Sequence, residues 1–113
     1  MVKTKYTTTE IKKIVKVLVE IMKADKIVVD KIILYGSYAA GRPHNHSDID
    51  LAVISPSFKG KKILDIQEDL AKALSKYLSI IEPIGYSTDD FQTAEPETLL
   101  GEIKRSGKIL YAA

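Results

Sequence analysis

Two short groups of residues, a fixed distance apart, carry the side chains that could do chemistry in this chain. Gly36 and Ser37 end a β-branched run, and after ten intervening residues come Asp48 and Asp50. Alternate residues of a strand leave the same face, so both carboxylates would stand beside the glycine turn. A glycine lets a phosphate approach backbone N–H groups, and Ser37 adds a hydroxyl donor. Carboxylates next to phosphate oxygens are the usual setting for Mg²⁺.

A third carboxylate is predicted to join this pair from another strand. Glu82 interrupts the apolar run 80–84, and a charge in such a run must be paired, hydrated or bound to a metal. Three carboxylates could hold a pair of ions about 3.5–4 Å apart, which would clamp the attacking and leaving oxygens of an in-line displacement. The competing interpretation places Asp48 in a turn, Asp50 on a solvent-facing strand and Glu82 on an exposed edge.

Basic residues near these motifs allow two interpretations. His44 and His46 lie in a polar loop, where we expect them to be solvated rather than to bind metal, although either could contact a nucleotide. Lys59, Lys61 and Lys62 form a turn that we expect to be solvated. The same lysines could also bind nucleotide phosphates or an acidic surface of a partner.

Aromatic and acidic residues flanking the motifs have expected structural roles. Tyr35 is expected in the core, whereas Tyr38 could stack on a base. Asp89 and Asp90 follow Thr88, and we expect them to be N-cap residues of a helix because aspartate is preferred at that position.

The elements that must position these side chains follow from hydrophobic periodicity. Amphipathic helical spacing, opened by a capping box from Thr7 to Glu10, predicts helices over 7–25, 63–77 and 95–106. Apolar and β-branched runs predict strands over 31–35, 48–55, 78–87 and 108–111. A helical turn could begin at Ser37, and Pro83 with Gly85 places the third strand at an edge or gives it a bulge. The predicted fold is one α/β (α+β) domain over 1–113, with helices packed on one face of a small mixed sheet.

Composition narrows the class of protein. The 113 residues, 45% hydrophobic and 28% charged, are typical of a globular chain rather than a disordered one. Cysteine is absent, so a metal would need oxygen or nitrogen ligands. No secretory signal or membrane-spanning run is visible, and we expect a cytoplasmic location. Seventeen basic and fifteen acidic residues give a net charge of +2, which argues against direct nucleic-acid binding.

The run LYGSYAAGRPHNHSDIDLAVIS resembles the signature of the DNA polymerase beta-like nucleotidyltransferase superfamily. The short chain also resembles the minimal nucleotidyltransferases, which are antitoxin partners of HEPN-domain toxins. This resemblance implies a mixed sheet flanked by helices, two Mg²⁺ ions, and ATP as substrate. It further implies transfer of AMP to a tyrosine hydroxyl of the toxin, which blocks the RNase site of the toxin, and a possible hetero-oligomer with it.

The resemblance assigns roles to individual residues on the nucleotide side. Gly36 and Ser37 would hold the triphosphate, and Arg42 and Ser47 are the other residues expected to bind the nucleotide. Ala40 departs from the family pattern, which commonly has a basic residue at that position. Neutralisation of the triphosphate would therefore differ from that in the family.

On the catalytic side, the resemblance makes Asp48 and Asp50 metal ligands. Glu82 would be the third carboxylate, which also binds metal and often deprotonates the attacking hydroxyl. The family often has aspartate there, and glutamate is one methylene longer.

Two other functions remain open from the sequence. One is an antitoxin that neutralises its toxin by steric cover, with a vestigial site. The other is a nucleotidyltransferase acting on a small molecule, such as an aminoglycoside, with a separate subunit to hold the acceptor.

Overall fold

A mixed four-stranded sheet forms the centre of the protein. The computed structural model describes residues 6–43 and 48–113. The strands are β1 (Lys31–Tyr35), β2 (Ile49–Ile54), β3 (Ile81–Tyr86) and β4 (Lys108–Ala112), in the order β3-β2-β1-β4. β1 pairs antiparallel with both β2 and β4, whereas β2 and β3 are parallel. The α-helices of the described residues are α1 (Thr8–Ala24), α2 (Gly36–Ala39), α3 (Ile63–Ala73), α4 (Thr88–Gln92) and α5 (Leu99–Ser106). This architecture confirms the predicted fold class.

The first helix, α1, begins at the capping box that the sequence predicts. The Thr7 hydroxyl accepts a hydrogen bond from the Glu10 N–H at 3.1 Å, and the Thr7 N–H donates to the Glu10 carboxylate at 2.9 Å. The apolar stripe of the helix is buried against the sheet through Ile11, Val15, Leu18 and Met22. The rest of α1 is largely exposed. No helix among the described residues is long and apolar enough to cross a membrane.

Helices cover both faces of the sheet, so the prediction that they pack on one face is wrong. α1 and α3 pack on the face that carries Ile32 and Leu51, and α5 packs on the face that carries Ile33 and Ala52. The reason lies in β2, whose residues from Leu51 to Ile54 are all buried. A continuous apolar run of this kind needs cover on both faces, because alternate side chains leave opposite sides.

Of the two alternatives predicted for the third strand, an edge position or a bulge, the edge position is confirmed, although β3 is shorter than predicted. Ile80 still belongs to the preceding turn, where its N–H bonds to the Tyr77 carbonyl at 2.9 Å. On the outer edge, the Gln67 side chain donates to the Pro83 carbonyl and accepts from the Gly85 N–H, both at 2.9 Å. One side-chain amide from α3 therefore satisfies the edge that Pro83 leaves irregular.

Each of the last two helices begins after a residue whose hydroxyl caps it. Both caps differ from the sequence predictions. α5 begins four residues later than predicted, because the Thr98 hydroxyl accepts from the Gly101 N–H at 3.0 Å. At α4 the N-cap is Ser87, whose hydroxyl accepts from the Asp90 N–H at 3.0 Å. Asp89 and Asp90 lie in the first turn of the helix instead of capping it, where their charges favour the helix N-terminus.

Candidate active site

The strand register brings two of the three predicted carboxylates together. Asp50, the second residue of β2, pairs in register with Tyr35 at the end of β1 and with Glu82, the second residue of β3. All three residues lie at one end of the sheet, on the face that α5 covers further along. Asp48 precedes β2 and is exposed. The sheet therefore places Asp50 and Glu82 side by side, with Asp48 at the entrance to the same strand.

Electrostatic conflict between these carboxylates is visible in Asp50. Its pKa is raised from 3.8 to about 6, first by burial, then by the charge of Glu82, by a hydrogen bond between the two side chains, and by the charge of Asp48. In the described part of the chain, none of the three carboxylates forms an ion pair with a lysine or arginine. Bringing a cation to this point would relieve the repulsion that raises the pKa.

The donor chemistry of the site fits a hard cation. Among residues 6–43 and 48–113, no three acidic or histidine side chains are already grouped closely enough to hold an ion. Asp50 and Glu82 nevertheless offer oxygen ligands side by side, with the charge of Asp48 nearby. Mg²⁺ keeps several waters and is held by one or two protein carboxylates together with substrate phosphates. A carboxylate pair with no lysine or arginine partner in the described ranges fits such an ion.

Two independent observations explain why position 36 requires a glycine. Its φ of 74° lies in the left-handed region, which favours glycine. A β-carbon at this position would overlap the Asp50 carboxylate, with the Asp50 Cγ only 3.1 Å away. The glycine turn and the aspartate are thus in direct contact. A phosphate lying against Gly36 would approach Asp50 as well.

Of the two tyrosines that flank the glycine, Tyr35 packs against the core as expected, whereas Tyr38 differs from the expectation. Tyr35 is half-buried: it packs against the core on the α5 side and lies beside the carboxylates. Burial and then the charge of Asp50 raise its pKa to about 12, so its hydroxyl stays protonated at neutral pH. Tyr38 is only 8% exposed, and its hydroxyl accepts from the Tyr6 N–H at 3.2 Å. The suggestion that Tyr38 stacks on a base is therefore wrong, because α2 turns this side chain into the core.

A pocket of about 630 Å³ adjoins the glycine turn and lies between α2 and α5. Of the residues predicted to bind the nucleotide, Gly36, Ser37 and Arg42 line it. α5 contributes Glu102 and Ser106, which sequence reasoning missed. No local signal marks these two residues. They reach the site because α5 ends beside the last residues of β1, where a β-carbon at Gly107 would meet Ile33 and the Leu34 carbonyl.

Other sequence candidates lie elsewhere or cannot be placed. Ser47, His44 and His46 fall outside the described residues. Lys59 forms an ion pair with Asp89 at 3.2 Å, and Lys61 forms one with Asp69 at 2.6 Å. Both lysines follow the far end of β2, so they do not line the pocket beside Gly36.

Comparison with solved structures gives the same fold. The chain is similar to a protein assigned as a nucleotidyltransferase from Sulfolobus solfataricus, with 16% identity, a TM-score of 0.65, and coverage of 89% of this chain and 79% of that one. It is also similar to a toxin–antitoxin with AMP-PNP, at 25% identity and a TM-score of 0.57, and to a mutant of the toxin–antitoxin MntA–HpeT, at 21% identity and a TM-score of 0.55. Each of the last two alignments covers 90% of this chain and 73% of the other.

Sequence comparison identifies the family. No curated protein matches the chain. The family described as Polymerase beta, Nucleotidyltransferase matches residues 9–113, which include the glycine turn and all three carboxylates. The chain therefore belongs to the polymerase beta nucleotidyltransferase family and is a nucleotidyltransferase.

Proposed function

We propose that the protein is a Mg²⁺-dependent adenylyltransferase that transfers AMP from ATP to a tyrosine hydroxyl of a partner protein. The partner is a HEPN-domain toxin with RNase activity, and the modification makes this protein its antitoxin. The observation that carries the proposal is the pairing of Asp50 with Glu82 next to the Gly36 turn. This arrangement would combine a phosphate-binding backbone with carboxylates that no lysine or arginine of the described residues neutralises.

The nucleotide fits the pocket between α2 and α5. Its volume of about 630 Å³ lies in the range of small-molecule sites. Ser37 and the backbone N–H groups at the start of α2 would bind phosphate oxygens, since the first N–H groups of a helix have no partner within it. Arg42 adds a cation at the pocket wall. The similar toxin–antitoxin structure with AMP-PNP, an analogue of ATP, supports ATP as the donor.

Transfer would proceed by in-line attack. The tyrosine oxygen of the partner forms a bond to the α-phosphorus of ATP, and the bond from that phosphorus to the oxygen bridging to the β-phosphate breaks, which releases pyrophosphate. Glu82 is exposed and accepts the proton of the attacking hydroxyl. Asp48, Asp50 and Glu82 would hold Mg²⁺, which when bound neutralises charge on the phosphates. The residues of this chain thus contribute positioning and a base.

The partner is supported by the structures that share the fold. Two of them are toxin–antitoxin assemblies, and one is a mutant with two aspartates changed to glutamate at positions two apart. Asp48 and Asp50 have the same spacing. Both Asp48 and Glu82 are exposed, so a hydroxyl presented by another protein can reach them.

The test uses ATP labelled on the α-phosphate, Mg²⁺ and the candidate toxin. We expect label on the toxin with the unaltered protein and none with Asp48→Ala/Asp50→Ala. Replacement of the acceptor tyrosine by phenylalanine should also remove the label. Label on the toxin that persists at the unaltered level with the double variant would overturn the proposal.

A steric antitoxin is the second candidate, and Ala40 favours it. Ala40 lines the pocket where the family commonly has a basic residue, and Arg42 is the single cation among the described lining residues. A protein that acts only by binding would neutralise the toxin equally well as Asp48→Ala/Asp50→Ala. Measuring toxin activity in the presence of this variant distinguishes the two functions, because an adenylyltransferase loses neutralisation with the aspartates.

A further inference from the structure

A second groove lies on the other side of the sheet from the carboxylates. It runs between α1, the segment 26–29 and β4, and has a volume of about 760 Å³. Its floor is mostly aliphatic and is formed by Val15, Val19, Ile27, Val29 and Leu110. These residues belong to or pack against the core on the α1 side, whereas Asp50 lies on the α5 side. Nothing bound in this groove would touch the nucleotide pocket.

The rim of the groove is strongly basic. Lys12, Lys16 and Lys23 project from α1, and Lys26 follows the helix; Glu20 is the single acidic side chain among the described lining residues. Three of the four lysines recur on one face of α1, at four- and seven-residue steps. None of the four forms an ion pair with another described residue, although lysines elsewhere in the chain do. Among the described residues, the groove therefore carries an excess of positive charge that its surroundings do not balance.

The positive φ of Lys26 and the exposure of Val28 shape the far end of the groove. Lys26 has a φ of 63°, so the chain turns sharply after α1. Val28 is 60% exposed and extends the apolar floor to the protein surface. An aliphatic side chain left in water beside unpaired lysines gains burial only when another molecule covers it.

The shape and chemistry of the groove favour a protein segment over a nucleic acid. Lys12 and Lys23 are eleven residues apart, which spans about 17 Å along α1 and equals about three turns of a docked helix. The floor consists of branched aliphatic side chains, which bury apolar residues. Bases instead need aromatic platforms for stacking, and Tyr111 is the one aromatic residue among the described lining residues.

We propose that this groove is a docking site for an acidic, amphipathic segment of a partner protein. The apolar face of the segment would lie on the aliphatic floor, and its aspartates and glutamates would pair with the lysine rim. The site goes beyond the proposed function, since it needs neither the nucleotide nor the carboxylates. Because it lies on the opposite side of the sheet, a partner can be held there while the transfer site stays open.

The experiment is selection of a random-peptide display library on the full-length protein. The variant Lys16→Glu/Lys23→Glu serves for counter-selection. We expect the selected peptides to be rich in Asp and Glu, with apolar residues at three- and four-residue steps. Their affinity, measured by fluorescence anisotropy, should fall at least tenfold in the double variant and should weaken as salt is raised.

Matched controls separate the groove from the general charge of α1. Lys13→Glu changes the same helix outside the groove and should leave affinity within about twofold of the unaltered protein. Val28→Asp, at the rim, should weaken binding, whereas Val17→Asp, 43% exposed on α1 outside the groove, should not. Circular dichroism and thermal melting check that every variant is folded.

Several outcomes would overturn the docking site. One is selection of peptides without acidic enrichment, and another is binding that Lys13→Glu weakens as much as the groove variants do. A third is single-stranded RNA that binds more tightly than the selected peptides and loses affinity in the same variants. That result would make the groove a nucleic-acid site. Transfer activity is not a readout here, so failure of the docking site leaves the adenylyltransferase proposal untouched.

Discussion

Asp50 and Glu82 lie directly opposite each other on the parallel strands β2 and β3, with their side chains close enough to share a proton. Two carboxylates in such contact share a proton at low pH and repel each other once both are ionised. Partial burial first, and this repulsion second, raise the pKa of Asp50 to about 6. A proton and a cation therefore compete for the same carboxylate oxygens of Asp50.

Removing either member of this pair should abolish transfer while leaving the fold intact. Asp50→Asn and Glu82→Gln keep side-chain size and remove the charge, so we expect the transfer rate to fall at least about 100-fold, the usual loss for one electrostatic group of an active site. Asp65→Asn and Glu97→Gln make the same changes at exposed positions away from the site and should keep full activity. Equal losses in the control pair would show that the effect is general.

The raised pKa of Asp50 predicts how stability depends on pH in the absence of divalent cations. The folded pKa of about 6 lies above the unfolded value of 3.8. The contribution of protonated Asp50 to the free energy of unfolding is therefore favourable and fully present below the unfolded value. It is lost as pH rises through about 6. In EDTA, the denaturation midpoint of the unaltered protein should therefore decrease as pH rises from 4 to 7, when compared with Asp50→Asn, which lacks the titrating carboxylate. A difference between the two proteins that stays constant with pH would contradict the shift.

Mg²⁺ binding should show the opposite dependence on pH. Below pH about 6 the cation must displace a proton from the Asp50–Glu82 pair, so apparent affinity should fall by up to about tenfold per pH unit. Titration calorimetry at pH 5 and pH 7.5, without nucleotide, measures this. We expect binding at pH 5 to release protons. The release is measured as a binding enthalpy that varies with the ionisation enthalpy of the buffer. An affinity that does not change between the two pH values would place the ion away from Asp50.

Gly36→Ala tests the contact between the glycine turn and the aspartate. The new β-carbon would strain a backbone at φ 74° by about 1–2 kcal/mol and would also displace the Asp50 carboxylate. Gly60→Ala is the matched control, because Gly60 has the same φ of 74° with open space around it. Both variants should lose similar stability in urea unfolding, and only Gly36→Ala should lose transfer. Full activity of Gly36→Ala would mean that the turn tolerates displacement of Asp50.

Much of the fold follows from local signals in the sequence. The capping box at Thr7 and the apolar stripe of α1 depend on contacts within one helix, and a reader of the sequence can see both. Pro83 limits β3 to an edge position or a bulge, and the edge is the alternative that the structure shows. The packing of a helix on the second face of the sheet was not predicted. The continuous apolar run of β2 indicates that both faces are buried, but it does not indicate which element buries the second one.

The residues of the candidate site also divide into those with a local sequence signal and those without one. Asp48 and Asp50 are recognisable because their relation is local: Asp48 directly precedes β2 and Asp50 is the second residue of that strand. The approach of Glu82 depends on the parallel register of β2 and β3, and sequence spacing does not determine that register. Ser106 is harder still, since its place in the pocket depends on the pairing of β4 with β1. Side chains joined only through tertiary contacts leave no local signal.

Ser106→Leu tests whether the nucleotide occupies the pocket between α2 and α5. A larger side chain at the last residue of α5 would occupy part of the pocket that Ser37 also lines. We expect KM for ATP to rise about tenfold with a smaller change in kcat, since the lost contact is one of binding. Gln92→Leu makes a comparable change at the exposed last residue of α4, outside the pocket. An unchanged KM in Ser106→Leu would exclude this pocket as the nucleotide site.

Ala40→Arg should improve ATP binding, since it restores a basic side chain where the family commonly has one. Ala40 is exposed at the pocket wall, so an arginine there can extend toward a triphosphate without burying its charge. One additional exposed ion pair contributes up to about 1 kcal/mol, which corresponds to a decrease in KM for ATP of up to about fivefold. Ala40→Gln supplies similar length without charge and should leave KM unchanged. Because exposed charges are screened, the gain should shrink as salt is raised from 0.05 M to about 0.5 M. A decrease in KM that Ala40→Gln reproduces, or that salt does not affect, would show that length and not charge is missing at this position.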